Sequence, residues 1–259
     1  MIKRLLIPFA LSALVSACST SHDQDASALQ APNAQQAQDM VNTQRNQRQL
    51  QTLVEQYTKQ FLRYEPLLST AIGVPESLAG AGYNKRFTDF SAMGMRKLQD
   101  DMNTAAMAVA KVDNNGFSQD EKRHQQIVTD ILRYYAGFSE FHGGYIDTWA
   151  GHLPYIINQL SGPLIDVPKV MQVQQPVSNV EEAQDYIARL QHFDFLVAGV
   201  LEKYKTDKLN GVQLPTKLYP KTLAYFENFL ASPVSEHALV TSFTKKLEQK
   251  PFLLLSSEL

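Results

Sequence analysis

The sequence predicts an all-α protein built as a bundle of several helices. Four long segments carry apolar residues at the i, i+3, i+4, i+7 spacing of an amphipathic helix. Two of these segments begin at a Ser-x-x-Glu sequence, the pattern of a capping box at a helix N-terminus. No convincing stretch alternates apolar and polar residues with the period of two that a half-buried strand requires. We therefore expect helices and little sheet.

The first two predicted helices precede a turn at Asp113–Gly116. The first stops before Pro66, and its apolar face contains Leu50, Leu53, Val54, Tyr57 and Phe61. The second spans about residues 90–112, and its apolar face contains Met93, Leu98, Met102, Ala106 and Val109. Both faces are wide enough to pack against a common core.

The next two helices are predicted from their capping boxes. The third begins at Ser118–Glu121 and continues through His124, Ile127, Val128, Ile131, Tyr135 and Phe138. The fourth begins at Ser178–Glu181 and continues through Ala183, Tyr186, Ile187, Leu190, Phe193, Val197, Val200, Leu201 and Tyr204. Shorter helices, each near a proline that suits a first turn, are expected at about 154–160, 163–172, 220–231 and 235–248.

The N-terminus has the pattern of a bacterial lipoprotein signal. Lys3 and Arg4 precede a short apolar stretch, and small residues lead to Cys18, the sole cysteine. Cleavage before Cys18 would leave a residue that carries acyl chains, and two or more such chains hold a protein stably on a bilayer. The alternative, a buried cysteine in an ordinary first helix, fits less well because Pro8 and the small residues favour a cleaved leader.

Three regions follow from this pattern. Residues 1–17 form the signal peptide, residues 18–46 a polar tether and residues 47–259 the helical domain. The tether has few large apolar residues, so it cannot bury enough surface to offset the entropy of ordering. Its later part, from Ala34 onwards, is compatible with helix because alanine and glutamine tolerate one.

Charge and cysteine content limit the classes of binding partner and the cellular compartment that we expect for this protein. The formal net charge is −2 and no basic block is present, which removes the electrostatic basis for nucleic-acid binding. With Cys18 acylated, no disulfide can form, so stability must come from apolar burial. Ser19 follows the cysteine where inner-membrane retention uses aspartate, so we expect the periplasmic face of the outer membrane.

Five short elements, taken together and in order, resemble one bacterial family. They are Pro66–Gly73, Gln159–Gly162, Gln175–Pro176, Tyr186–Leu190 and Gly211–Pro215. The set is similar to the family catalogued as domain of unknown function 885, over about residues 50–250. The resemblance implies the N-terminal region of a larger, all-helical, zinc metallopeptidase-like protein.

The resemblance also implies a site that this sequence does not contain. Complete members of the family resemble zinc peptidases with a His-Glu-x-x-Pro-Gly-His segment, and this chain has no His-Glu pair. A catalytic zinc needs three protein ligands and a positioned base. We therefore expect no catalytic residues, no metal site and no cofactor in this chain, which looks like a shortened member, inactive alone.

The remaining candidates are residues that contact a groove or a partner. His142 and His152 flank a glycine-rich loop that contains the only tryptophan, Trp149. The two histidines either line a pocket or hold a metal in the complete protein, or they lie in solvent beside an aromatic anchor. Arg189 lies four residues after Asp185, which favours an exposed ion pair, with a buried structural role as the alternative. Glu121 and His124 have the i, i+3 spacing of di-metal bundles, but a single copy favours a capping glutamate.

Three functions remain open on these grounds. The first is a membrane-anchored, truncated metallopeptidase-like lipoprotein whose partner is a peptide substrate or the missing C-terminal half. The second is a self-standing periplasmic binding or scaffold lipoprotein. The third is an enzyme with a metal site of its own.

Overall fold

The computed structural model describes residues 33–137 and 155–250, and the backbone of residues 146–147 and 151–152. Cys18 and Phe138 lie outside these residues. Within them the fold is all-α, which confirms the predicted class. Ten α-helices follow one another: α1 Ala34–Tyr64, α2 Pro66–Ile72, α3 Glu76–Ala79, α4 Ala92–Ala110, α5 Gln119–Ala136, α6 Pro163–Val173, α7 Val180–Gln191, α8 Phe193–Leu209, α9 Tyr219–Leu230 and α10 Ala238–Glu248.

A short antiparallel pair connects two loop segments between α5 and α6. Strand β1 is Ile146–Asp147 and strand β2 is Gly151–His152, with Ile146 opposite His152 and Asp147 opposite Gly151. Two residues a strand do not make a sheet that could hold a core. In the part of the chain that the structure describes, no helix is both long enough and apolar enough to cross a bilayer.

Helix α4 lies at the centre of the main core. Its fully buried residues are Met102, Ala105 and Val109, and it packs most extensively against α5 and also against α1. Small residues at Ala105 and Ala106 let the neighbouring helices approach closely. The core extends to α6, α7, α8 and α10 through Met171, Tyr186, Val200 and Leu239.

Helix α1 begins earlier than the 46/47 boundary placed on the tether. It starts at Ala34 and is capped by Asn33, whose side chain accepts a hydrogen bond from Gln36 N at 2.9 Å. The side chain of Gln36 bonds back to Asn33 N, so both halves of a capping box are present. Residues 34–46 are therefore helical. The helix begins at Ala34, the residue from which the tether sequence is compatible with helix.

The buried face of α5 differs from the predicted stripe. Ile127 and Ile131 are 50% and 51% exposed, whereas Gln125 and Thr129 are buried. Gln125 Nε2 donates to the main-chain oxygens of Val109 and Val112, both at 2.9 Å, at the end of α4. Because these carbonyls need a donor, a polar side chain turns inward and the aliphatic ones turn outward.

Replacing Gln125 by methionine is expected to lower the free energy of unfolding by about 1–2 kcal/mol, since buried carbonyls lose a donor. The matched control is Gln126→Met, because Gln126 is exposed and, among the described residues, donates only to Asp130 of the same helix. Gln126→Met is expected to change the free energy of unfolding by no more than about 0.5 kcal/mol. Urea denaturation followed by circular dichroism measures both, and equal effects would contradict the inward capping role.

The fourth predicted helix is two helices, and its start is displaced by one residue. The helix is interrupted at His192, between α7 and α8, although the apolar spacing continues across the interruption. The N-cap is Asn179, whose side chain accepts from Glu182 N at 2.8 Å, while Glu182 accepts from Ser178 N. The predicted box at Ser178–Glu181 is therefore wrong by one position.

Two other predictions are also corrected. Met93, assigned to the buried face of the second helix, is 76% exposed, and Met95 is buried instead. No helix forms at residues 155–160, where the Asn158 side chain accepts from the main-chain N–H groups of Leu160 and Ser161. A side chain that bonds the following backbone in this way favours a turn over a helix.

Candidate functional site

Arg189 is the centre of a buried hydrogen-bond cluster. Its side chain is completely buried on α7. Nε donates to Arg86 O at 3.2 Å, Nη1 to Gln175 Oε1 at 2.9 Å and to Thr70 Oγ1 at 3.1 Å. Nη2 donates to Thr70 Oγ1 at 3.1 Å and to Tyr83 O at 2.8 Å. A guanidinium has five N–H donors, and each of them is used.

The Arg189 cluster, comprising Arg189, Thr70, Gln175 and the carbonyls of Tyr83 and Arg86, joins segments that are distant in sequence. Thr70 belongs to α2, and Gln175 lies between α6 and α7. Gln175 Nε2 also donates to Asn84 O at 2.9 Å. The cluster therefore fixes α2, the segment after α3, the end of α6 and α7 relative to one another.

The charges around the cluster show that Arg189 is a buried structural residue. None of the four acceptor atoms carries a formal charge, and burial lowers the pKa of the Arg189 guanidinium while the nearby Asp185 carboxylate raises it. Burial also raises the pKa of the Asp185 carboxyl. The expected exposed Asp185–Arg189 pair is wrong, because Arg189 points into the core and bonds to neutral acceptors. Arg189 therefore takes the buried position, the second of the two alternatives.

Lys246 on α10 places a half-buried cation beside this cluster. Its Nζ donates to Met171 O at 2.8 Å and Gln175 O at 2.6 Å, at the end of α6. Burial lowers the pKa of Lys246 to about 8. Between that value and the ordinary lysine pKa of about 10.4, the unfolded chain binds more protons than the folded one, so stability rises with pH.

We therefore expect the wild-type chain to gain stability between pH 8 and 9.5 relative to Lys246→Met. Below the folded pKa of about 8 the cost of burying the ammonium is constant, since both states are protonated. Urea denaturation of both proteins at pH 7, 8.5 and 9.5 measures the difference in unfolding free energy. A difference that does not change with pH would contradict the lowered pKa.

A cavity of about 540 Å³ lies between α8, the loop before α9, and α9 itself. We call it the α9 cavity; it is lined by Ile157, Tyr204, Leu214, Tyr219, Pro220, Thr222, Leu223 and Phe226. Its one aliphatic hydroxyl, from Thr222, already bonds to Gln159 Oε1 at 3.1 Å and Leu218 O at 3.0 Å. The walls therefore present mainly carbon atoms.

A buried ion pair lies next to the α9 cavity. Lys203 and Asp207, one turn apart on α8, are hydrogen-bonded to each other and both buried. Asp207 lines a narrow space that shares Ile157, Tyr204 and Leu214 with the cavity. Its Oδ2 is buried and has no hydrogen-bond partner among the described residues. The pair fixes the wall of the cavity without offering it an accessible charge.

The α9 cavity was not predicted from the sequence. Several residues that were predicted to contact a groove, a partner or a lipid lie outside the described residues. These are Cys18, His142 and Trp149, and the side chain of His152, whose backbone forms part of β2. Their roles in lipidation or in partner contact stay predictions. The apolar spacing of Tyr219, Leu223, Phe226 and Leu230 was the available signal for the cavity wall.

Of Glu121 and His124, it is Glu121 that forms a helix cap. The Glu121 carboxylate accepts from Ser118 N at 2.8 Å and from Gln47 Nε2 at 2.7 Å, and the predicted capping box is confirmed. The hydrogen bonds from Ser118 hold the pKa of Glu121 below its usual range. Among the residues that the structure describes, no group of three or more His, Cys, Asp or Glu side chains could hold a metal ion.

The fold and the Arg189 cluster define an all-α protein whose distant segments are joined at a buried arginine. Residues 66–256 match the family described as "Bacterial protein of unknown function (DUF885)". The chain belongs to this family. No curated protein matches it.

A solved structure is similar over most of the chain. It is the crystal structure of the "putative lipoprotein" from Colwellia psychrerythraea, with 30% sequence identity and a TM-score of 0.74. The match covers 79% of this chain and 35% of that one, so this chain spans about a third of that protein's length. Three of the five elements that carry the family resemblance contribute Thr70, Gln175 and Arg189 to the buried cluster.

Proposed function

We propose that this chain is a lipid-anchored protein of the bacterial cell envelope that forms the helical framework of a larger metallopeptidase-like protein. In this proposal it has no peptidase activity by itself, and zinc belongs to complete members of the family. The observation that carries the proposal is the Arg189 cluster, because its donors are all used to join helices. No donor of that arginine remains for a substrate.

The family-typical residues in this chain thus support an architectural role. Thr70, Gln175 and Arg189 come from three family elements and bond to one another. A buried, fully satisfied network fixes one arrangement of helices more strongly than apolar contacts alone. Such a framework would position a substrate groove whose catalytic groups lie elsewhere in a longer protein.

Membrane attachment is supported by the leader that ends at Cys18 and by the likeness to the C. psychrerythraea "putative lipoprotein". Intact mass spectrometry of membrane-extracted protein should show loss of residues 1–17 and added acyl mass. Cys18→Ala should release the chain from the membrane or leave the precursor uncut. Unmodified, soluble protein that starts at Met1 in a host with lipoprotein processing would contradict this part of the proposal.

The absence of activity is tested on residues 19–259. Metal content after dialysis is measured by mass spectrometry, and a peptide library is assayed with and without added zinc. We expect no stoichiometric zinc and no cleavage that a chelator inhibits. Stoichiometric zinc with chelator-sensitive cleavage, lost in His142→Ala or His152→Ala, would instead establish an enzyme with its own metal site.

The α9 cavity supports a second candidate function, a self-standing binding or scaffold lipoprotein. Its volume of about 540 Å³ lies in the range typical of small-molecule sites, about 300–1,000 Å³. This candidate requires that the cavity be open in the functional protein. Saturable binding of an apolar fluorescent probe, N-phenyl-1-naphthylamine, by membrane-extracted protein would favour it, provided that Leu223→Asp abolishes the binding.

A further inference from the structure

Helix α9 presents an apolar stripe to solvent. Tyr219, Leu223 and Leu230 are 40%, 59% and 75% exposed, and Phe226 lies between them in the wall of the α9 cavity. Their spacing of i, i+4, i+7 and i+11 places all four side chains on one face of the helix. At a rise of about 1.5 Å per residue the stripe is about 16 Å long.

The side of α9 next to the stripe attaches the helix to the protein. Thr222 is buried and bonded to Gln159, and Phe229 packs against the main core and against the ring of His237. The stripe and the attached side therefore differ in direction. Leu223 and Leu230 stay largely accessible to solvent beside that attached side.

The shape of the surface favours a polypeptide segment over a small molecule. The α9 cavity lies at the N-terminal half of the stripe, and the stripe continues past it to Leu230. A helix laid along such a surface places apolar side chains at i, i+4, i+7 and i+11, with the largest filling the cavity. Aromatic and leucine walls of this kind form the buried centre of protein interfaces.

The length of the related protein indicates where such a segment comes from. The C. psychrerythraea structure matches this chain over 35% of its own length, at a TM-score of 0.74. A protein with the same helical region therefore has a much larger remainder to pack against it. Burying the α9 stripe against that remainder would remove a large apolar surface from water.

We propose that the α9 stripe and the α9 cavity form the docking surface for an amphipathic helix from the remainder of the longer family protein. This inference rests on the proposed framework function and names its partner. Leu223 and Phe226 occupy the centre of the contact, where the cavity opens beside the stripe. Tyr219 and Leu230 mark its two ends.

The test uses a chimera in which the matched segment of this chain replaces its counterpart in the C. psychrerythraea protein. Linking the two parts gives a high effective concentration, so weak affinity between diverged surfaces does not mask docking. Hydrogen exchange of the α9 amides is compared between the chimera and this chain alone. We expect exchange to slow by at least about tenfold in the chimera, since docking suppresses local opening.

Three substitutions in the chimera make the result specific. Leu223→Asp should restore the fast exchange of α9, because a carboxylate cannot be buried in an apolar contact. Met93→Asp is the matched control, since Met93 is exposed on α4 and does not line the cavity. Ile131→Asp tests the competing groove between α1 and α5, which is lined by Val54, Tyr57, Thr58, Phe61, Val128, Ile131, Leu132 and Tyr135.

Unchanged α9 exchange in the folded chimera would overturn the proposal. So would slowed exchange that survives Leu223→Asp and is lost in Ile131→Asp, or a chimera that fails to fold while this chain alone folds. The lipidation and zinc assays use this chain without α9 variants. Failure of the docking surface and failure of the framework function are therefore distinguishable.

Discussion

Replacing Arg189 by methionine is expected to lower the free energy of unfolding by about 4 kcal/mol. Methionine fills part of the volume but donates no hydrogen bond, so Thr70, Gln175 and the carbonyls of Tyr83 and Arg86 lose their donor. Each buried polar group left without a partner costs about 1–3 kcal/mol. The expected loss of unfolding free energy is smaller than the sum of these separate costs, because Thr70 keeps its hydrogen bond with Asn84, at 2.8 Å.

The matched control is Arg123→Met. Arg123 is exposed on α5 and pairs with Asp120 at 2.8 Å, so its loss should change stability by no more than about 0.5 kcal/mol. The loss of unfolding free energy in Arg189→Lys should fall between those of Arg189→Met and Arg123→Met, because an ammonium supplies three donors without the planar fork. Urea denaturation of residues 19–259 measures all three. Equal effects of Arg189→Met and Arg123→Met would show that the cluster does not stabilise the fold.

A loss of that size would be a large fraction of the whole stability. Domains of this kind unfold at a cost of about 5–15 kcal/mol. The effect would also extend beyond α7, since the cluster connects α2 and the end of α6 to it. We therefore expect Arg189→Met to increase hydrogen exchange in α2, whereas a purely local role would affect α7 alone.

The sequence predicted those helices whose signals are local. The Ser118–Glu121 box and the prolines at positions 163 and 220 place the starts of α5, α6 and α9 within one or two residues. Capping and first-turn geometry depend on a few adjacent residues, so they can be recognised without the fold. The predicted family resemblance was confirmed by the match over residues 66–256.

Other features depend on contacts between distant residues. Gln125 turns inward because α4 ends beside it, and the apolar spacing of α5 alone does not reveal this. The break at His192 interrupts the helix without interrupting the apolar spacing. Arg189 shares its pattern with an exposed surface pair, and only the positions of Thr70 and Gln175 distinguish the two. Tertiary contacts override local preference at each of these positions.

The candidate binding surface also depends on contacts between distant residues, which local sequence patterns do not predict. Ile157, Tyr204 and Leu214 meet Leu223 in one cavity although they come from four separate segments. An apolar spacing in α9 was visible, but it does not say which face is buried. The direction in which α9 is attached, through Thr222 and Phe229, decides that its remaining apolar face is exposed.

Gly162→Ala is expected to lower the free energy of unfolding by more than about 3 kcal/mol. Gly162 precedes α6 with φ 103° and ψ 168°, a conformation that is essentially restricted to glycine and costs other residues about 1–3 kcal/mol. A Cβ at this position would also lie 2.6 Å from Ile156 O. Because that neighbour is a main-chain atom, the contact cannot be relieved by turning a side chain.

The matched control for this change is Gly73→Ala. Gly73 has φ 65° and ψ 43°, an ordinary left-handed conformation, and a Cβ there would meet no atom within 4 Å. Its cost should be limited to the backbone term of about 1–2 kcal/mol. Thermal and urea unfolding of both variants separate the steric contribution from the conformational one, and equal losses would contradict the close approach to Ile156. Since Ile157 lines the α9 cavity, relief of the clash at Ile156 should also displace the cavity wall and weaken docking.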